Sequence, residues 1–108
     1  MKRIERVNSL IRDLAGEFLL SQIKIKGTII SATRVEASSD LKYAKIFISV
    51  FPYNKEKQVL NMLKDALGEW QKYLAAKFKA KFLPQSQFLI DKGEKSARKV
   101  EKLLRSLA

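Results

Sequence analysis

The chain has 108 residues, enough for one domain with a modest core and too few for two. Hydrophobic residues make up 46%, which argues against a disordered chain, and 22 Lys plus Arg against 11 Asp plus Glu leave a net charge of +11 that predicts a polyanionic partner. Cysteine and histidine are both absent, which removes disulfides, thiolate metal sites, a thiol nucleophile and the commonest general base.

The opening "MKRIERVNSL" lacks the apolar centre of a secretory signal, and no apolar run approaches the length of a membrane span. A cytoplasmic chain without membrane association is expected. Ile4, Val7, Ile11, Leu14 and Phe18 recur three and four residues apart, with Leu10, Ala15 and Leu19 widening the stripe, so the first twenty or so residues predict an amphipathic helix. Next, "GTIISATRVEAS" and "KYAKIFISVF" are rich in β-branched and aromatic residues, and the polar link "SDL" between them predicts an antiparallel hairpin. In the second strand Ala44, Ile46, Ile48 and Val50 share the core face, while Tyr43, Lys45, Phe47, Ser49 and Phe51 share the other.

Pro52 closes that strand, and Asn54 is the expected N-cap of a helix starting at Lys55. Val59, Leu60, Met62, Leu63, Ala66 and Leu67 form its apolar face. Beyond Gly68 the pattern resumes with Trp70, Tyr73, Leu74 and Phe78. Periodicity alone leaves two readings of Gly68: a glycine tolerated within one helix at about 1 kcal/mol relative to alanine, or a break between two helices. A third strand is expected at "SQFLID" after Pro84, and Ala97, Val100, Leu103, Leu104 and Leu107 mark a terminal helix. The whole chain, residues 1–108, reads as a single α+β domain without internal repeats.

The charge is uneven. Residues 71–108 hold ten basic and three acidic side chains, and no acid lies between Gln71 and Ile90. Lys72 and Lys79 fall near one helix face, with Lys77 and Lys81 on an adjacent one. Four cations without a compensating acid attract phosphates and make binding steeply salt-dependent. Catalysis is not expected, because no nucleophile, base or metal constellation is present and the four glycines are too dispersed for a nucleotide-phosphate loop. No cofactor or metal is expected either.

Taken together, "RVEASSDLKYAKIFISV" (residues 34–50), "ALG" (66–68), Pro84, "FLID" (88–91) and the terminal "VEKLLRSL" resemble ribosome-binding factor A, in order and spacing, over nearly the whole chain. The resemblance implies a type II KH-like fold, α-β-β-α-kink-α-β with a three-stranded sheet, to which the terminal helix is an addition. In that fold Ala66 and Gly68 form an interhelical kink where nucleic-acid-binding KH domains carry their GXXG clamp. It also implies a non-enzymatic role: binding the small ribosomal subunit and its rRNA late in assembly, promoting maturation of the rRNA 5′ end, with importance in the cold. A monomer is expected.

By the same resemblance Lys45, Lys79 and Lys81 match basic positions of the family surface, and Arg3 and Arg6 fit the basic residues that open the first helix. With Lys72 and Lys77 these are the candidate RNA-binding residues. Three departures stand out: Gln71 replaces a usual arginine, Gln85-Ser86 replaces a usual Glu-Leu, and "SQIKIKG" lacks the Asp-Pro loop common after the first helix. Lys72 and Lys77 are the expected compensation for Gln71. The rival reading is a basic protein that coats any nucleic acid. A membrane-surface role for the first helix ranks last, because its apolar face is needed in the core.

Overall fold

The computed structural model describes residues 3–78 and 83–93. The expected terminal helix, together with Lys79 and Lys81, lies outside the described residues. In chain order the elements are α1 (Arg3–Gln22), β1 (Ile29–Ala37), β2 (Tyr43–Phe51), a short 3-10 turn (Tyr53–Lys55), α2 (Glu56–Asp65), α3 (Leu67–Lys77) and β3 (Gln85–Ile90).

The strands form one sheet in the order β1-β2-β3, with β1 antiparallel and β3 parallel to the central β2. The parallel pair needs a crossover, and α2 with α3 supply it across the same face that α1 covers. This is the type II KH-like fold. Period-two alternation explains the core: Ala44, Ile46, Ile48 and Val50 are at most 1% exposed, and they meet Ile11, Phe18, Val59, Leu63, Trp70 and Leu74 from the helices. Trp70 is fully buried and meets Phe18 and Phe88 edge-on, at ring centroid distances of 5.4 and 5.7 Å.

Two local features differ from expectation. Asn54 does not cap α2: it lies inside the 3-10 turn, and α2 begins at Glu56 after Lys55 with no side-chain cap. The turn that follows Pro52 takes up those residues before an α-helix can start. β1 is also not a regular strand, because its register with β2 shifts between Ala32 and Arg34, leaving Thr33 as the extra residue of a bulge. The Thr33 hydroxyl donates to Asp91 Oδ2 at 2.7 Å, and Asp91 N–H bonds Ile48 C=O at 2.8 Å, so the bulge is tied to the end of β3.

Candidate nucleic-acid interface

Tyr73 Oη donates to Glu17 Oε2 at 2.8 Å, and farther along α3 Phe78 shares a cleft with Arg3 and Val7. As α3 advances its partners on α1 recede, so the two helices run antiparallel. The end of α3 bearing Lys77 therefore lies beside the start of α1 bearing Arg3 and Arg6. Residues some seventy positions apart in sequence meet there.

The cleft at this end measures about 740 Å³. Its apolar wall includes Val7, Leu41, Phe78 and Pro84, and its rim carries Arg3, Lys42 and an exposed Tyr43. The β1–β2 turn that forms one wall is tightly bonded. Ser38 Oγ donates to Asp40 Oδ1 at 2.7 Å, Lys42 N–H reaches the same oxygen at 3.1 Å, and Ser38 N–H bonds Tyr43 C=O at 2.8 Å. The Ser38 hydroxyl, followed by the Lys42 amide, holds the Asp40 carboxyl below its ordinary pKa. Leu41 takes a left-handed φ of 60°, uncommon outside glycine, which fixes the turn that carries Lys42 and Tyr43. Neither residue belongs to the basic surface as it reads from sequence. The available signal is the lysine directly following the "SDL" link.

The structure brings Arg3, Arg6 and Lys77 to one end of the helical layer, all exposed. Lys72 is exposed a little over one turn earlier on α3. Lys45 lies on the uncovered sheet face two residues beyond Tyr43, opposite Glu36. Glu36 is already paired with Arg34, whose guanidinium lies 3.8 Å from the Phe47 ring centroid and whose Nε is 3.5 Å from Asp91 Oδ2. Arg34 is thus neutralised in place, whereas Arg3, Arg6, Lys45, Lys72 and Lys77 enter no ion pair among the described residues. Lys77 Nζ lies 6.0 Å from the Tyr73 ring centroid, and the charge of all five, unopposed by an acid, is available to phosphate.

At the joint between α2 and α3 the pivot is Ala66, with φ −91° and ψ 6°, serving as the end of one helix and the start of the next. Met62 C=O accepts from Ala66 N–H, and Ala66 C=O accepts from Trp70 N–H, both at 2.9 Å. The hydrogen-bond ladder is handed on rather than broken. Gly68 is helical and exposed, and a Cβ built on it would meet nothing within 4 Å. The departure from helical angles at the joint falls on Ala66, and Gly68 lies within the first turn of α3.

Gln71 is half-buried and bonded to β3. Its Nε2 donates to Pro84 C=O at 3.3 Å, and its Oε1 accepts from Ser86 N–H at 2.9 Å. Gln71 and Ser86 are therefore bonded to each other, side-chain amide to main-chain N–H. The amide fixes the first residues of β3 against α3 and is not directed at a ligand.

A family profile described as Ribosome-binding factor A matches residues 3–104. A curated relative, "Ribosome-binding factor A" of Thermodesulfovibrio yellowstonii, is 32% identical over 107 residues, covering 98% of this chain and 91% of its own. The chain belongs to the ribosome-binding factor A family. Its fold is also that of ribosome-binding factor A from Thermus thermophilus, whose crystal structure superposes with a TM-score of 0.70 at 18% identity, covering 82% of this chain and 97% of that one. A homology model of the Thermus thermophilus factor, fitted into the cryo-EM map of its 30S complex, is also similar, with a TM-score of 0.67 at 18% identity over 76% of this chain and 88% of that one. No helix among the described residues is long and apolar enough to cross a membrane.

Proposed function

We propose that this chain binds the small ribosomal subunit during its assembly, through phosphates of structured rRNA, and promotes late maturation of that rRNA including its 5′ end. The observation that carries the reading is the antiparallel packing of α1 on α3, which places Arg3, Arg6 and Lys77 at one end as cations without acidic partners. Family membership supports it, as does the 30S complex in which the Thermus thermophilus neighbour was placed. The role is that of a non-catalytic binder in the cytoplasm, acting as a monomer. Lys45 and Lys72 extend the surface, and Lys72 with Lys77 supplies the charge that Gln71 does not.

Charge of this kind reads backbone shape more than base edges. Replacing Lys72 and Lys77 together with alanine is expected to weaken association with immature small subunits and to lower the salt slope by about one per lysine. Sucrose-gradient sedimentation of cell extract checks the partner: the protein should co-migrate with free small subunits and little with complete ribosomes. Migration only at the top of the gradient in low salt overturns the proposal. The net charge of +11 favours one second reading, indiscriminate coating of nucleic acid. That reading requires duplex DNA and heparin to compete as well as rRNA at equal salt.

A further inference from the structure

At the far end of α1, about 25 Å from Arg3 by helix rise, the surface changes character. Leu20 is 76% exposed, Ile29 69% and Phe51 54%, three of the most exposed large apolar side chains among the described residues. Leu20 and Ile29 share a cleft of about 520 Å³, and Phe51 lies beyond Ile29 on the sheet face that α1 does not cover. Ile29 is the register partner of Phe51 across the β1–β2 ladder, and the Phe51 ring meets Tyr53 at 6.3 Å. Lys24 and Lys26 line the same cleft, and no acidic side chain does.

The alternation "IKIK" explains the arrangement. Ile23 is buried and Ile25 packs against the core, so the two lysines between and after them are turned outward. Leu20 falls off the apolar stripe of α1 and is left uncovered beside them.

We infer that this apolar, lysine-rimmed patch is a docking site for an acidic, apolar-anchored segment of a second protein. Within the cleft Leu20 and Ile29 are aliphatic, with no π-face on which bases stack, and Phe51 lies outside its lining, so the cleft suits polypeptide better than RNA. A segment with leucine or phenylalanine anchors fills such a groove, and Lys24 and Lys26 select for carboxylates flanking the anchors. A second copy of this chain is disfavoured by the mutual repulsion of two +11 molecules. A membrane surface is disfavoured because the apolar stripe of α1 is already buried, leaving three side chains to insert.

The test is an amide NMR titration of the full chain with a synthetic amphipathic peptide bearing leucines on one face and glutamates on the other. Saturable shifts confined to residues 23–30 and Phe51 support the site. Leu20→Asp with Ile29→Asp should weaken the peptide by about tenfold or more, and Lys24→Glu with Lys26→Glu should do so without touching the apolar contacts. Both pairs are exposed, and an unchanged thermal melt verifies that each variant folds. Four results overturn the proposal: no shifts at the patch, shifts only around Lys72 and Lys77, concentration-dependent shifts there without peptide, or equal shifts there with phosphatidylglycerol vesicles or an RNA oligonucleotide.

Discussion

The two ends of α1 are built from the same helix and behave oppositely. At the Arg3 end the helix meets the end of α3, the β1–β2 turn and the approach to β3, and cations collect around a cleft whose apolar wall is shared by all four. At the Gln22 end α1 runs straight into a short link to β1, and Leu20, which lies off the stripe that faces α3 and the sheet, stays exposed. The difference teaches that topology, more than local composition, decides which surface each end presents. The last turn of antiparallel α3 brings charge to the Arg3 end, while its first turn, toward the Gln22 end, leaves Leu20 exposed.

The comparison breaks most severely at Trp70, which joins the helical layer to β3 through Phe18 and Phe88. Trp70→Ala is expected to cost about 3–5 kcal/mol, a large share of the roughly 5–15 kcal/mol that holds such a domain. Urea denaturation should show the loss, and both ends should lose their ligands together. A variant that kept its stability would mean that α1 and α3 are held in register by something else.

Gln71→Ala sharpens the comparison by damaging one end alone. It leaves the Ser86 N–H without its acceptor and removes the donor to Pro84 C=O, for an expected loss of about 1–3 kcal/mol. Hydrogen exchange should quicken at Gln85 and Ser86, on the cleft side, while residues 23–30 keep their protection. Quickening at both ends would show that β3 docking also supports the Leu20 end.

Much of this architecture is legible in the sequence, and a physical reason separates the legible part from the rest. Amphipathic periodicity reports which face of an element is buried, so Ile11, Leu14, Ala15, Phe18 and Leu19 of the α1 stripe and the Ala44, Ile46, Ile48, Val50 face stand in the core as read, whereas Leu10, read as widening the stripe, is 42% exposed. Periodicity carries no information on where a ladder slips, so the Thr33 bulge is invisible to it. Nor does it separate a capping asparagine from one inside a 3-10 turn, so Asn54 reads as a cap that it does not form. At the helix joint the family resemblance points to the right triplet, yet only backbone angles assign the pivot to Ala66. The basic cluster reads along α3, whereas its companions Arg3, Lys42 and Tyr43 arrive through contacts distant in sequence. Leu20 does carry a signal, since it lies off the stripe, but exposure is a property of what fails to cover a residue.

The smallest expected effect lies between the ends, at the Tyr73–Glu17 hydrogen bond. Only the neutral phenol donates, so this bond to Glu17, with burial second, raises the Tyr73 pKa above its ordinary value of 10.0. A folded-state pKa above the unfolded one means that the bond's contribution is complete below the unfolded value and is lost as pH rises through the folded one. Stability measured in urea should therefore fall, as pH rises above about 10, by slightly more in the native chain than in Tyr73→Phe. An identical fall in both would show that the contact contributes nothing in solution. Because the bond straps α1 to α3 midway, its removal near neutral pH should leave phosphate binding at Lys77 and peptide binding at Leu20 unchanged. Independence of that kind is what two separate surfaces on one rigid helix require.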